Sequence, residues 1–214
     1  EQTTQKIRPE AEPALYASPE VLAELESMFR GKCAYCETPI DSPTIDHVDH
    51  FRPMRAMEPG GLPSGGHYWW LAYEWTNLML SCLDCNRFKG ARFPVAGVRA
   101  DRGEPFEVEQ ALLLNPREQL DDPTSVLVFQ PDGTVTSTDP RGITTIETLG
   151  LNRAALVAAR QLAWDETELL AATGTHIPDE REAFHAMRVQ QRAGHRLAAN
   201  RAATKASFEA DQRD

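Results

Sequence analysis

All four cysteines of this chain stand in two Cys-x-x-Cys pairs, Cys33/Cys36 and Cys82/Cys85. A two-residue spacer lets two thiolates from one tight turn bind the same ion, and zinc prefers four tetrahedral ligands. Two such pairs close a four-sulfur site with no open position, so the expected Zn2+ is structural. Its binding would stabilise the fold, because thiolates do not gather without a metal. A redox pair is the competing chemistry, but two pairs with no spare cysteine favour metal. Between the pairs lie Asp49-His50-Phe51-Arg52-Pro53 and Asn77-Leu78, and Asn86 follows the last cysteine. A neutral imidazole takes a proton from water near neutral pH, which makes His50 the candidate general base. Neighbours on a strand point to opposite faces, so Asp49 can hold a hard cation while His50 meets the attacking water. Asn77 can accept a hydrogen bond from the second imidazole nitrogen and fix the ring. Asn86 offers another oxygen ligand. A carboxylate plus an amide leaves most of the shell of Mg2+, or another divalent cation, to water and phosphate. The chemistry expected is hydrolysis of a phosphodiester. Arg52, Arg87 and Lys89 are candidates for holding a phosphate.

A second Asp-His pair, Asp46-His47, precedes the first. Period two puts His47 on the strand face of Asp49, beside the metal, and Asp46 on the face of His50. Only the Asp49-His50 pair runs on into Phe-Arg-Pro, and it is the preferred site.

The elements that must position these groups are short. Residues 1–29 read as an arm and a helix, with Ser18 as N-cap, Pro19 in the first turn and Gly31 just past the end. Residues 30–104 hold both cysteine pairs, with a turn and a short strand from Thr44 to Asp49 and a Gly/Pro loop over 54–66. The aromatic run from His67 to Leu80 reads as core packing rather than a base-stacking platform. A short helix is expected after Asn86, broken at Pro94. Residues 105–150 read as loops and short strands, with a hairpin across Pro131-Asp132-Gly133. Residues 151–214 read as helix, capped at the start by Asn152. His67, in the Gly-rich approach to the aromatic run, reads as a surface or packing residue, and His176, His185 and His195, without acid or cysteine partners, read as structural or solvated. The fold class expected is α+β: a zinc-clamped core of short strands with a largely helical C-terminal region.

A formal charge of -10 argues against coating nucleic acid through bulk charge. Yet Arg87, Lys89, Arg92, Arg99 and Arg102 face only Asp101 between Asn86 and Arg102, a local basic stretch. No apolar run approaches the roughly 20 residues of a membrane span. The N-terminal residues carry no basic-then-apolar leader, and the expectation is a reducing cytoplasm.

The string Cys33-x-x-Cys36, Asp49-His50-Phe51-x-Pro53, Asn77-Leu78, Cys82-x-x-Cys85-Asn86, Lys89-Gly90 resembles the HNH endonucleases, over about residues 30–93. The resemblance implies a ββα-metal fold, with His50 as general base, Asn77 orienting it, and Asp49 and Asn86 holding the catalytic cation. Asn86 stands where that family often has histidine and keeps an oxygen ligand. A softer likeness runs to about residue 160, through Trp70-Leu71-Ala72-Tyr73-Glu74-Trp75, Phe93-Pro94 and Leu149-Gly150-Leu151-Asn152-Arg153. It is similar to the HNH nucleases of bacterial anti-phage systems, among them the nuclease subunit of the Septu system and retron-associated relatives. That likeness implies a DNA substrate, products with a 5′-phosphate and a 3′-hydroxyl, an ABC-type ATPase partner, and a docking role for residues 151–214. A non-catalytic zinc-ribbon module and an HNH nuclease acting on RNA are the competing readings. The cysteines fit all three, whereas Asp49, His50, Asn77 and Asn86 have no place in a purely structural ribbon.

Overall fold

A computed structural model describes residues 11–55, 68–118 and 123–172. Two compact units share them: one reaches to Gln130 and resumes over Thr134–Val157, the other holds Pro131–Gly133 and the chain from Ala158. The class is α+β, with short helices and two small sheets around a four-cysteine cluster. Among the described residues, no helix is long and apolar enough to cross a membrane.

A single turn, α1 (Pro13–Tyr16), leads into α2 (Pro19–Met28). The Ser18 side chain accepts from the Val21 N–H, and Pro19 fills the first helical position, where it loses no hydrogen bond. Leu25 is the residue of α2 that is fully buried. Left-handed Arg30 and Gly31 then turn the chain into the first cysteine pair.

The strand expected over Thr44–Asp49 is shorter and starts later. Ile45–His47 form a 3-10 turn, and β1 is Val48–His50. The turn wins because the His47 imidazole accepts from the Thr44 N–H at 3.1 Å, locally satisfying a backbone donor. β1 pairs antiparallel with β2 (Leu78–Leu80), placing Asp49 opposite Met79 and His50 opposite Leu78. The outward carbonyls of β2 are taken too: Leu80 by the Ala34 N–H at 2.7 Å, and Leu78 by Arg117 through Nη2 at 2.7 Å and Nε at 3.2 Å.

α3 (Leu83–Lys89) begins before Asn86, not after it. Cys82 is its N-cap, its sulfur accepting the Cys85 N–H at 3.4 Å, so the second cysteine pair is the first turn of the helix. Gly90, at φ +50, ends it.

Downstream come α4 (Pro123–Val126) and the expected hairpin, β3 (Val128–Phe129) with β4 (Val135–Thr136). A helix, α5 (Pro140–Leu149), replaces the loops and strands read there. Asp139 caps it by accepting the Arg141 N–H at 2.7 Å, Pro140 opens it, and left-handed Gly150 closes it. α6 (Ala154–Ala172) starts two residues later than Asn152 predicted. Asn152 is occupied elsewhere: its Oδ1 accepts from Val135 N and its Nδ2 donates to Val135 O, both at 2.8 Å.

One apolar cluster joins Phe51, Tyr68, Met79 and Phe93 to Leu113, Leu127, Val135 and Leu149, so the segment after residue 104 shares a core with the region around the β1–β2 ribbon. A second packs Leu25, Ile40, Val48, Leu78 and Leu80 around Cys33 and Cys85. β2 is therefore held from two sides, Met79 in the first cluster and Leu78 and Leu80 in the second, while β1 adds Val48 to the second; each large side chain contributes about 1.5–3 kcal/mol.

Candidate metal centre and hydrolytic site

The four cysteine sulfurs lie within 4.8 Å of one another, and Cys36 and Cys82 are 3.7 Å apart. A tetrahedral ion with sulfur at about 2.3 Å puts the sulfurs about 3.8 Å from each other. The cysteines are free thiols, and the donor set fits a thiolate-bound metal such as zinc. Burial pushes the Cys33 thiol well up, and the nearby Cys36 and Cys82 sulfurs push it further. Hydrogen bonds among the sulfurs push the Cys85 thiol up as well but pull Cys36 and Cys82 down, so the four do not ionise together unless a cation sits among them.

His50 ends β1 and is buried. Its Nε2 lies 2.9 Å from the Ala72 carbonyl. A carbonyl only accepts, so Nε2 carries the proton and Nδ1 keeps its lone pair. Burial holds the imidazole below its ordinary 6.5, and the Lys89 charge adds to this, while the Ala72 carbonyl and Asp49 oppose it. At neutral pH the ring is uncharged, with Nδ1 as the basic atom. The edge of Tyr16 packs on it, with ring centroids 4.8 Å apart.

Asn77 was expected on the imidazole and lies elsewhere. Its Nδ2 donates to the Arg52 carbonyl at 3.0 Å and the Leu71 carbonyl at 3.2 Å, and its Oδ1 accepts the Arg52 N–H at 2.8 Å. The orienting acceptor is a backbone oxygen instead. Asn77 acts one step back, fixing the chain at Leu71 beside the Ala72 carbonyl that holds His50.

Asp49 faces inward. The Tyr35 hydroxyl donates to its Oδ2 at 2.5 Å, and Lys89 Nζ lies 3.1 Å from Oδ1 and 3.0 Å from Oδ2. Lys89 also donates to the His50 carbonyl at 2.6 Å and is completely buried, so it is no phosphate ligand here. Arg52 is likewise spoken for: its Nε pairs with Glu109 at 2.8 Å, and its guanidinium lies over Phe106, 3.9 Å from the ring centroid. His47, expected beside the metal, caps its turn.

Asn86 turns to the first Asp-His pair, donating from Nδ2 to the Asp46 carbonyl at 2.9 Å. Asp46, Asn86, Arg87, Tyr16 and Val48 line an open cavity of about 490 Å³. The predicted cation ligands are thus not brought together: Asp49 is consumed inside, while Asn86 faces the cavity with Asp46. As arranged, that pair does not fit a shared magnesium ion. Of the candidate phosphate ligands, Arg87 is the exposed one.

Three residues of these networks are not among those the sequence singles out: Tyr16, Tyr35 and Glu109. Tyr35 had a local clue, since it lies inside the first Cys-x-x-Cys pair. The others reach their partners through the fold.

No family model matches the chain. Two Septu proteins of Bacillus mycoides (strain KBAB4) are similar to it. Septu protein PtuB is 36% identical over 152 residues, covering 68% of this chain and 51% of PtuB. Septu protein PtuA is 31% identical over 150 residues, covering 66% of this chain and 20% of PtuA. The chain spans about half the length of the first relative and a fifth of the second.

Proposed function

We propose that this chain is an HNH endonuclease that hydrolyses DNA phosphodiester bonds and serves as the nuclease of a Septu-type anti-phage system, with an ABC-type ATPase as partner. One observation carries the reading: His50 Nε2 lies 2.9 Å from the Ala72 carbonyl, which commits its proton there and leaves Nδ1 as base. In the reaction, Nδ1 takes a proton from water as the water oxygen attacks phosphorus in line. The bond from phosphorus to the 3′ oxygen breaks, that oxygen takes a proton from solvent water to leave as a 3′-hydroxyl, the other product keeps a 5′-phosphate, and Nδ1 returns its proton to solvent. Arg87 lines the cavity and is the candidate for holding a phosphate. Tyr16 lines the same cavity and packs edge-on against the imidazole. No step is assigned to a divalent cation.

The inward pairing of Asp49, Lys89 and Arg52 favours a second reading, a non-catalytic binding module closed around a structural metal. Cleavage of supercoiled DNA separates the two. The purified chain, alone and with a candidate ABC-type ATPase partner, is incubated with plasmid and Mg2+ or Mn2+. His50→Ala should lower the rate about 100-fold or more, with metal content and circular dichroism unchanged. Full activity in that variant removes His50 as base. An inert parent under every condition leaves the binding module, and preferential cutting of RNA replaces DNA as substrate.

A further inference from the structure

Arg153 closes the Leu149-Gly150-Leu151-Asn152-Arg153 string, and the proposed chemistry makes no use of it. The string is accounted for residue by residue up to that point. Leu149 and Leu151 are buried in the core, and Asn152 pairs with Val135. Gly150 adopts φ +58 where a Cβ would come within 2.6 Å of the Phe88 ring of α3, so only glycine lets α5 end against that helix. This packing delivers Arg153 to the sulfur cluster.

Its Nη1 lies 3.5 Å from the Cys85 sulfur, and its Nη2 lies 3.5 Å from Cys36 and 3.6 Å from Cys82. Nη1 also donates to the Leu149 and Gly150 carbonyls at 3.4 and 3.3 Å, which fixes the plane of the fork. Nε is buried without a hydrogen bond, and Asp84 Oδ2 approaches it at 3.6 Å as an ion pair. A guanidinium held this way faces three of the four sulfurs, from both cysteine pairs.

We propose that Arg153 is an outer ligand of the metal centre, a positioning residue that hydrogen-bonds the sulfurs of Cys36, Cys82 and Cys85 and offsets their charge. The inference rests on the metal reading of the four cysteines and is independent of the nuclease reading. Four thiolates around one Zn2+ carry a net charge of about -2, costly among buried side chains. A cation in contact with the sulfurs reduces that cost. Arginine suits the place because its planar fork spans several acceptors at once and is weakly hydrated, whereas lysine presents a single, strongly hydrated point charge. Groups that hydrogen-bond metal ligands tune retention of the ion. The segment after α5 thereby completes a centre whose ligand Cys36 lies 117 residues away.

The test compares the parent chain with Arg153→Met and Arg153→Lys. Elemental analysis of the parent comes first, and absence of metal there refutes the metal reading itself. Zinc retention is then measured by competition with a chromophoric chelator at fixed pH. Arg153→Met should bind zinc about 10–100-fold more weakly, and Arg153→Lys about 3–10-fold more weakly. In the cobalt-loaded proteins, the thiolate-to-cobalt charge-transfer band should move in Arg153→Met and move less in Arg153→Lys. Equal retention in all three proteins with an unmoved band overturns the proposal, whatever happens to thermal stability. If Arg153→Met does not fold, Arg153→Lys decides, and parental retention with an unmoved band in that variant overturns it.

Discussion

Asp49 and Glu109 lie in different parts of the chain and have nearly the same surroundings. Each is buried, each accepts a tyrosine hydroxyl at 2.5 Å, and each is paired with a cation: Tyr35 and Lys89 for Asp49, Tyr68 and Arg52 for Glu109. The difference lies in what the partners connect. Tyr35 sits within the first cysteine pair and Lys89 ends the helix that holds the second, so Asp49 ties β1 to both halves of the sulfur cluster. Glu109 gathers irregular segments instead, and the Ala100 N–H at 3.2 Å gives it an additional donor. A buried carboxylate is costly unless paired and hydrogen-bonded, and both networks meet that demand. An acid next to a catalytic-looking histidine can therefore serve the frame, and its chemistry is decided by its neighbours.

The largest effect should come from Lys89→Met, which strands the Asp49 charge with Tyr35 as its remaining side-chain donor. The expected loss is about 3–5 kcal/mol in urea denaturation, and adding Asp49→Asn should return part of it. A loss under about 1 kcal/mol would mean that the pair does not hold the frame. Arg52→Met should cost less, about 2 kcal/mol, because Glu109 retains Tyr68 and the Ala100 N–H and methionine keeps contact with Phe106. Equal losses in the two variants would erase the distinction between the networks.

The smallest effect is alkaline. Burial first, and then the adjacent carboxylate, holds the Tyr35 and Tyr68 hydroxyls above their ordinary 10.0. Their folded values exceed the unfolded one, so this contribution to stability is complete below pH 10 and is lost as pH rises through the folded values. Tyrosinate absorbance should show two tyrosines silent until the chain unfolds, and Tyr35→Phe should remove one share of that late signal. A Tyr35 that titrates at its ordinary value would separate the networks instead of matching them.

Local chemistry was legible in the sequence. The metal-ligand spacing, the Ser18-Pro19 helix start and the turn at Pro131-Asp132-Gly133 all depend on neighbours in the chain. α5 had a local signal as well, Asp139-Pro140 at one end and Gly150 at the other, hidden by an expectation of strands around the hairpin. The site was legible by residue type but not by orientation. His50 and Asp49 occupy successive positions on β1 as expected, yet whether a carboxylate faces a cavity or a lysine depends on how α3 docks. Arg52 and Glu109 are 57 residues apart, and no spacing rule links them.

The outer edge of β2 has a further consequence. A two-stranded ribbon normally exposes a row of carbonyls that invites another chain to extend the sheet. Here Ala34 and Arg117 already occupy the Leu80 and Leu78 carbonyls, and Arg117 does so with a side chain that carries charge. The ribbon beside His50 is sealed along that side against edge-to-edge polymerisation, and a neighbouring copy finds a guanidinium where it would need an acceptor.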